Sequence, residues 1–379
     1  MDPIHMVDLI GQHAAIENEL NAAMQRVMRN GAFVKGPEVQ AFSEELQAYT
    51  GSRFVIPCGN GTDALQIALM ALGIGPGDEV ITTGFTFIST IEVVALLGAT
   101  PVLVDVHADT FNIQAEQVAA AITPRTKAIV PVHLFGQMAD MDALLALSNK
   151  SGIPVIEDNA QAISARWYGA EGKRKDAPQS GTLGLMGTTS FFPSKNLGCM
   201  GDGGAIMTND ETIARKLQQI ANHGMSKRYH HDVVGLNSRL DGLQAAILRV
   251  KLQHLDAYCA ARQQAAARYD ALLQDIPGIQ IPLRDVRSSH VFHQYTLQVD
   301  PTRRDALVEH MKAHGIPTGV YYPVPGHRQA AFASYSFNLD AHPISDALAA
   351  RVISLPMHTE LTESQQSNIC AALIKFVLQ

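Results

Sequence analysis

The sequence has few cysteines, a single tryptophan and no long hydrophobic run without charge. Its four cysteines are too few and too widely spaced for a disulfide scaffold or a Cys-x-x-Cys zinc site, so we expect reduced thiols and no metal. No segment offers about 18 apolar residues free of charge, which excludes a membrane-spanning helix. The first ten residues lack the basic start and apolar core of a signal peptide, so a cytoplasmic protein is predicted.

The chain also lacks a strong excess or a long run of charge of either sign. The 379 residues contain 29 Lys and Arg against 36 Asp and Glu, a net charge of −7, with no run of five or six like charges. A chain without a basic face is not expected to bind nucleic acid. Hydrophobic residues make up 46% of the sequence, which excludes disorder and provides for a large core.

Strand and helix patterns alternate in the first half of the chain. Alternation of this kind predicts an α/β domain with a mostly parallel sheet flanked by helices. The predicted strands are residues 54–57, 80–83, 101–106, 127–133 and 153–157. The predicted helices are residues 62–72, 87–97, 114–122 and 140–150.

The order of elements changes in the second half. An irregular excursion over residues 166–187 is followed by strands at 189–192 and 205–208 and a long helix over 239–275. Beyond it we predict strand 294–299, helix 304–314, strand 316–321 and helix 363–378. These patterns predict a large cofactor-binding domain, residues 1–250, and a smaller C-terminal α+β domain, residues 251–379, with the site between them.

A glycine-rich turn, GNGTDA at residues 59–64, lies between the first predicted strand and its helix. It resembles the G-x-G-x-x-A dinucleotide fingerprint, which also needs an acid at the end of the second strand. That strand ends in Thr83 and Gly84 instead. The turn therefore favours a simple phosphate site with Thr62 contributing its hydroxyl, and the alternative is that Thr62 only caps the helix.

Two further residues suggest a cofactor. Asp158 follows an apolar strand at the end that faces the ligand crevice, where a carboxylate can keep a heterocyclic nitrogen protonated or simply cap a helix. Lys195 ends another apolar strand, and burial there would give a neutral amine that attacks a carbonyl; an ordinary surface lysine is the alternative. A phosphate anchor, an acid and an amine in this order match the needs of pyridoxal phosphate.

The sequence closely resembles the DegT/StrS-type sugar-nucleotide aminotransferases, which have the aspartate aminotransferase fold (fold type I). The resemblance covers nearly the whole chain. Its most specific stretches are NGTDAL at 60–65, ED and AQ at 157–161, SFFPSK at 190–195, GDGG at 201–204 and NSRLD at 237–241.

The resemblance implies a role for each matching residue. Lys195 would join pyridoxal 5'-phosphate covalently, and Asp158 would pair with the ring nitrogen. Gln161 would bond the phenolic oxygen of the ring, and Phe87 would stack on its face. The phosphate would be held by Gly61, Thr62, Ser190 and, from the neighbouring subunit, Asn237. A homodimer with shared active sites is therefore implied.

The substrate side rests on the run Arg228-Tyr229-His230-His231. The same run occurs in the subset of the family that aminates a 3-keto uronic acid on a UDP sugar. Arg228 with the flanking Tyr229 and His231 could bind a carboxylate or diphosphate, or could form a solvated basic loop. Further substrate-side candidates by this resemblance are Arg239, Tyr321 and Tyr322.

The predicted reaction is transfer of an amino group from L-glutamate to a nucleotide-linked keto sugar. UDP-2-acetamido-2-deoxy-3-keto-glucuronic acid is the preferred acceptor, in cell-surface polysaccharide (O-antigen) biosynthesis. The alternatives are a 3- or 4-keto-deoxyhexose acceptor, a sugar dehydratase, or a regulatory cofactor-binding protein. Family members that dehydrate their sugar replace the lysine by histidine, whereas this chain keeps Lys195. The 166–187 excursion is longer than the family suggests and lies near the site in sequence, so it could alter the substrate pocket.

Overall fold

The computed structural model describes residues 3–379, so the first two residues of the predicted large domain lie outside it. The helices are α1 (Leu9–Ala15), α2 (Glu17–Asn30), α3 (Pro37–Thr50), α4 (Gly61–Ala71), α5 (Ser89–Leu96), α6 (Ala115–Ala121), α7 (Met141–Ser151), α8 (Glu211–Ile220), α9 (Gly242–Leu273), α10 (Arg304–Ala313), α11 (Pro343–Arg351) and α12 (Glu363–Val377). Within the described residues, no helix has the length and apolar character needed to cross a membrane.

The strands belong to four sheets within residues 3–379. They are β1 (Phe54–Cys58), β2 (Glu79–Thr83), β3 (Thr100–Val104), β4 (Thr126–Ile129), β5 (Ile156–Asp158), β6 (Met186–Ser190), β7 (Gly204–Thr208), β8 (Met225–Lys227), β9 (His230–His231), β10 (Tyr295–Gln298) and β11 (Val352–Leu355). The α/β class predicted from the sequence is confirmed.

The predicted single, mostly parallel sheet is present only in part. Strands β3, β2 and β4 form a parallel sheet, and β5 pairs in parallel with β6. Strand β7, however, runs antiparallel to both β6 and β1. The connection from β6 to β7 contains no crossover helix, and a parallel pair requires such a connection. Isolated parallel bridges at Ile129–Val155 and Val132–Asp158 link the two sheets.

The C-terminal region differs from the prediction at one strand. Residues 316–321 do not form a strand, because only Gly319 bridges to Ser354. Strand β11 pairs with β10 instead. After Gly319 the chain leaves the sheet and brings Tyr321 and Tyr322 to the cavity described below.

Helix α9 connects two hydrophobic cores. Its first half buries Leu248 and Leu255 in the core beneath the large sheets, and its second half buries Tyr269 and Leu273 against β10 and β11. The predicted domain boundary near residue 250 falls inside this helix. The domain limits themselves stay a prediction.

A buried carboxylate fixes the end of β5. Glu157 is fully buried and accepts hydrogen bonds from the amides of Gly181 (2.8 Å), Leu183 (2.7 Å) and Gly184 (2.7 Å). His133 Nε2 lies 2.8 Å from Glu157 Oε2, the oxygen that also accepts from Gly181. The Ala139 amide donates to His133 Nδ1, so the ring donates to Glu157 through Nε2. Because strand side chains alternate, fixing Glu157 directs Asp158 to the opposite face.

We predict that Glu157→Gln lowers the free energy of unfolding by about 2–3 kcal/mol, because it removes the charge and sets an amide donor against backbone N–H groups. Urea unfolding followed by circular dichroism measures the change. Glu116→Gln, at an exposed position in the first turn of α6, is the matched control and should cost only a few tenths of a kcal/mol. Equal midpoints for the two variants would contradict this assignment.

Candidate active site

A cavity of about 640 Å³ lies where β5 and β6 end and α4 begins. This is the end of an open α/β sheet at which ligands bind. The structure brings nine of the predicted site residues to its wall: Gly61, Thr62, Phe87, Asp158, Gln161, Ser190, Lys195, Tyr321 and Tyr322. Residues 166–187 do not line it, so the excursion does not shape this pocket.

One end of the cavity is the N-terminus of α4. The Asn60 side chain caps the helix by accepting from the Asp63 amide at 2.8 Å, so the alternative that Thr62 is the cap is wrong. The amides of Gly61 and Thr62 stand in the first turn, where no intrahelical acceptor exists. A Cβ on Gly61 would lie 2.6 Å from Ser190 Cβ, so any larger residue would collide with Ser190. Glycine at this position allows α4 and β6 to approach this closely. The arrangement suits an anion such as a phosphate.

The opposite wall carries the Asp158 carboxylate. It is buried and accepts from Thr90 Oγ1 at Oδ2 (2.8 Å) and from the Ala160 amide at Oδ1 (3.1 Å). Burial raises the pKa of Asp158, while these two donors and the positive charge of Lys195 oppose that rise. Its only backbone donor among the described residues is the turn amide of Ala160, so Asp158 is not a helix cap, and each oxygen keeps a lone pair for a ligand.

Lys195 lies in the turn after β6. Its neighbour Asn196 donates to the Val291 carbonyl at 2.9 Å, which ties this turn to the C-terminal part of the chain. The Lys195 side chain is partly accessible, and the space it faces is the cavity. Burial lowers the pKa of Lys195 to about 8, although Asp158 favours the charged form. A substantial fraction of the amine is therefore neutral near physiological pH.

Gln161 and two aromatic side chains complete the wall. Gln161 Oε1 accepts from the Phe135 amide at 2.8 Å, so its Nε2 is directed to the Tyr322 hydroxyl at 3.0 Å. The rings of Phe87 and Tyr322 are 6.3 Å apart, and Phe87 is half exposed on the cavity. A flat ligand would find an amide donor at its edge and an aromatic face beside it.

Five predicted site residues lie outside this cavity. Three of them belong to an exposed hairpin formed by β8 and β9, in which the Arg228 guanidinium lies 5.1 Å from the centre of the Tyr229 ring and His231 bonds a backbone carbonyl. Asn237 is exposed beyond the hairpin. Arg239 lines a separate groove with Lys35, whose pKa is lowered by burial and by the charge of Arg239.

Several residues of the site are not predicted from the sequence. His293 and Gln294 stand among apolar residues just before β10. Thr90 looks like part of an apolar helix start and reaches the site only through its hydrogen bond to Asp158. Asp202 and Phe192 were seen only as parts of motifs, yet both line the cavity. A polar residue inside an otherwise apolar segment was the available signal, but it does not say which cavity the residue faces.

The residues present fit pyridoxal phosphate. The open helix N-terminus suits the phosphate, the buried carboxylate suits a protonated ring nitrogen, and the amine of lowered pKa suits the aldehyde. The family described as DegT/DnrJ/EryC1/StrS aminotransferase matches residues 14–374 of the chain.

The chain belongs to this aminotransferase family. It is 50% identical, over 98% of its length and 99% of the relative's, to a UDP-2-acetamido-2-deoxy-3-oxo-D-glucuronate aminotransferase of Pseudomonas aeruginosa. It is 45% identical, over 98% and 97% of the two lengths, to a UDP-N-acetyl-3-dehydro-alpha-D-glucosamine 3-aminotransferase of Acidithiobacillus ferrooxidans. A Geobacillus stearothermophilus relative, 45% identical over 98% of both chains, is named a pleiotropic regulatory protein.

The solved structure of NtdA from Bacillus subtilis with bound cofactor PMP has a TM-score of 0.86 and 30% identity. The similarity covers 96% of this chain and 82% of that one. Together with the family match, these findings make the protein a pyridoxal-phosphate-dependent sugar aminotransferase.

We predict that Thr90→Val lowers the rate of the half-reaction with glutamate about tenfold, because Asp158 loses a hydrogen bond to its charged form. The same loss raises the pKa of Asp158 further, so the acidic limb of the pH–rate profile should move to higher pH. Stopped-flow absorbance of the loaded enzyme measures both effects.

Thr82→Val is the matched control for Thr90→Val. The Thr82 hydroxyl is buried and donates to the Val130 carbonyl at 2.7 Å, away from the cavity wall. This variant should lose stability and keep the wild-type rate. A Thr90→Val enzyme as fast as Thr82→Val would show that the bond to Asp158 has no part in the reaction.

Proposed function

We propose that the protein transfers the amino group of L-glutamate to UDP-2-acetamido-2-deoxy-3-keto-glucuronic acid in cell-surface polysaccharide synthesis. The observation that carries the reaction type is Lys195, an amine with a pKa of about 8 on the same cavity wall as Asp158. The choice of sugar is supported by the Pseudomonas relative, which is named for this substrate, and by the hairpin sequence around Arg228.

The cavity residues have separate tasks in this proposal. Gly61, Thr62 and Ser190 bind the cofactor phosphate at the start of α4, and Phe87 packs on the ring. Gln161 donates to the phenolic oxygen. Asp158 holds a proton at the ring nitrogen. The bound cofactor supplies an aldehyde for the amino group and a ring that withdraws electrons from the carbon that loses its proton.

Lys195 has two tasks, and both need the neutral amine. Its neutral Nζ would hold the cofactor by condensing with the aldehyde and losing water, which only an unprotonated nitrogen can do. When the amine of glutamate displaces it, the same Nζ would be the base that takes the proton from the α-carbon of glutamate and carries it until it is given back. A pKa near 8 suits this exchange because the amine can both accept and release a proton near neutral pH.

The proposed homodimer is supported by a shortage of positive charge in the cavity. No arginine lines the cavity within the described residues, yet glutamate, a cofactor phosphate and a UDP uronate are all anionic. Arg228, Tyr229 and His231 on the exposed hairpin, with Asn237 beyond it, do not reach the cavity of their own chain. We propose that they complete the cavity of a second copy.

Recognition of the 6-carboxylate is assigned to the same basic side chains. Arg228 or Arg239 can form a bidentate pair with a carboxylate, and Tyr321 and Tyr322 line the cavity, where their hydroxyls can bond a sugar. The Acidithiobacillus relative is named for a UDP-3-dehydroglucosamine, a sugar that lacks this carboxylate. Activity with an acceptor that carries a 6-hydroxyl in place of the carboxylate therefore distinguishes specificity for the uronate from specificity for the glucosamine.

We predict that the purified enzyme aminates the 3-keto uronate with stoichiometric consumption of glutamate, and that Lys195→Ala abolishes both cofactor attachment and turnover. Mass spectrometry of products from a panel of UDP and dTDP keto sugars measures specificity. A preference for the 6-hydroxyl sugar or for a 4-keto deoxyhexose would overturn the uronate assignment, and product without glutamate use would indicate dehydration.

Lys251→Met is the matched control for Lys195→Ala. Lys251 is buried and also has a pKa lowered to about 8, but its Nζ lies 3.2 Å from His13 Nε2, outside the cavity. This variant should remain yellow and active. If Lys251→Met were colourless and Lys195→Ala were not, the attachment site would be wrongly assigned.

We predict that two inactive variants restore activity when co-expressed. Lys195→Ala combined with Arg228→Ala/Asn237→Ala should give about one quarter of wild-type activity, since half of the dimers are mixed and each mixed dimer keeps one intact site. Lys195→Ala with Asp158→Ala is the control and should stay inactive, because both side chains belong to one cavity. Failure of the first pair would contradict shared sites.

A further inference from the structure

His293 is a buried histidine on the wall of the cofactor cavity. Its Nδ1 is buried and has no hydrogen-bond partner within the described residues. Buried polar atoms are nearly always paired, so an unpaired imidazole nitrogen in an active cavity calls for a partner that forms during the reaction.

The backbone that carries His293 is held rigidly against the turn of Lys195. The Val291 amide donates to the Gly136 carbonyl at 2.9 Å, and the Val291 carbonyl accepts from Asn196, the residue after Lys195. From α9, Arg262 Nη1 donates to the carbonyls of Phe292 (3.1 Å) and His293 (3.4 Å). The backbone segments that carry His293 and Lys195 are therefore held in a fixed position relative to each other.

The charges around His293 keep its ring neutral. Burial, the charge of Lys195 and the charge of Arg262 hold the pKa of His293 well below its usual value. A neutral imidazole has one donor nitrogen and one acceptor nitrogen. The titratable or charged groups that face the pair are Lys195, Asp158, Asp202, Tyr321 and Tyr322 on the cavity wall, Arg262 behind His293 and His133 behind Asp158.

We propose that His293 is a positioning residue for Lys195, its unpaired Nδ1 accepting a hydrogen bond from the Lys195 ammonium group that forms when the released amine takes up a proton. The lysine stem is flexible, and a fixed acceptor removes part of that freedom when the amine must point at a particular carbon. This inference rests on the role of Lys195 in the proposed function.

The test uses the rate at which the apoprotein takes up pyridoxal phosphate between pH 6 and 10. Only the neutral amine attacks the aldehyde, so the midpoint of the profile reports the pKa of Lys195. An acceptor stabilises the ammonium form, so His293→Leu should move the midpoint about one unit to lower pH and reduce the plateau rate about tenfold. His293→Gln, which keeps an acceptor oxygen, should stay within about 0.3 units of wild type.

Two further variants keep the test decisive. His293→Asn has an acceptor on a shorter stem and should behave like His293→Leu, which covers the case in which the leucine variant fails to fold. His358→Leu is the matched control, since His358 is buried, is influenced by the same Arg262 and does not line the cavity. It should leave the midpoint unchanged.

The proposal is overturned if the His293 variants keep the wild-type midpoint and instead raise the Kd for glutamate, which would make His293 a substrate-binding residue. It is also overturned if His293→Gln shifts the midpoint as far as His293→Leu. Borohydride reduction of the cofactor-loaded wild type, followed by peptide mapping, tests the proposed function separately from the role of His293. A label elsewhere than on Lys195 would refute the proposed function, whatever the His293 variants show.

Discussion

The site depends on one electrostatic balance, that between the Lys195 amine and the Asp158 carboxylate on the wall of one cavity. Burial favours the neutral form of each group, and the charge of each favours the ionised form of the other. The result is an amine with a pKa of about 8, which is low enough to be a nucleophile and high enough to carry a proton. In open solvent the amine would stay charged, and without the carboxylate its pKa would fall further.

That balance requires the two groups to be placed by rigid elements. Asp158 pairs in register with Thr188 of β6, and the same strand ends at Ser190 just before the Lys195 turn. On the other side of β6, Gly204 of β7 approaches Asn60 so closely that any side chain would collide with its carbonyl. Gly204 of the GDGG stretch therefore serves the packing of the turn before α4, while Asp202 of the same stretch lines the cavity.

The cavity could be foreseen because strand ends and helix starts are local features of a sequence. The turn at Gly61, the acid after β5 and the lysine after β6 each have a recognisable pattern, and the sheet brings them to one edge. Three things depend on distant contacts and could not be read in this way. The direction of β7 is set by its partners, the bond from Thr90 crosses from α5 to β5, and His293 reaches the cavity only because Arg262 and Asn196 hold its backbone. Helices α1–α3 were not predicted either, because no catalytic or binding motif marks them in the sequence.

The separation of the basic hairpin from the cavity also bears on how specificity is distributed. The cavity wall contains two carboxylates, Asp158 and Asp202, and its lysine must be neutral to react. It therefore offers little positive charge to any anionic substrate. If the cations come from the β8–β9 hairpin of a second copy, changes in that hairpin alter the acceptor without touching the balance between Lys195 and Asp158. The reaction type and the choice of sugar would then reside in different segments, which explains how relatives that share this fold can be named for different keto sugars.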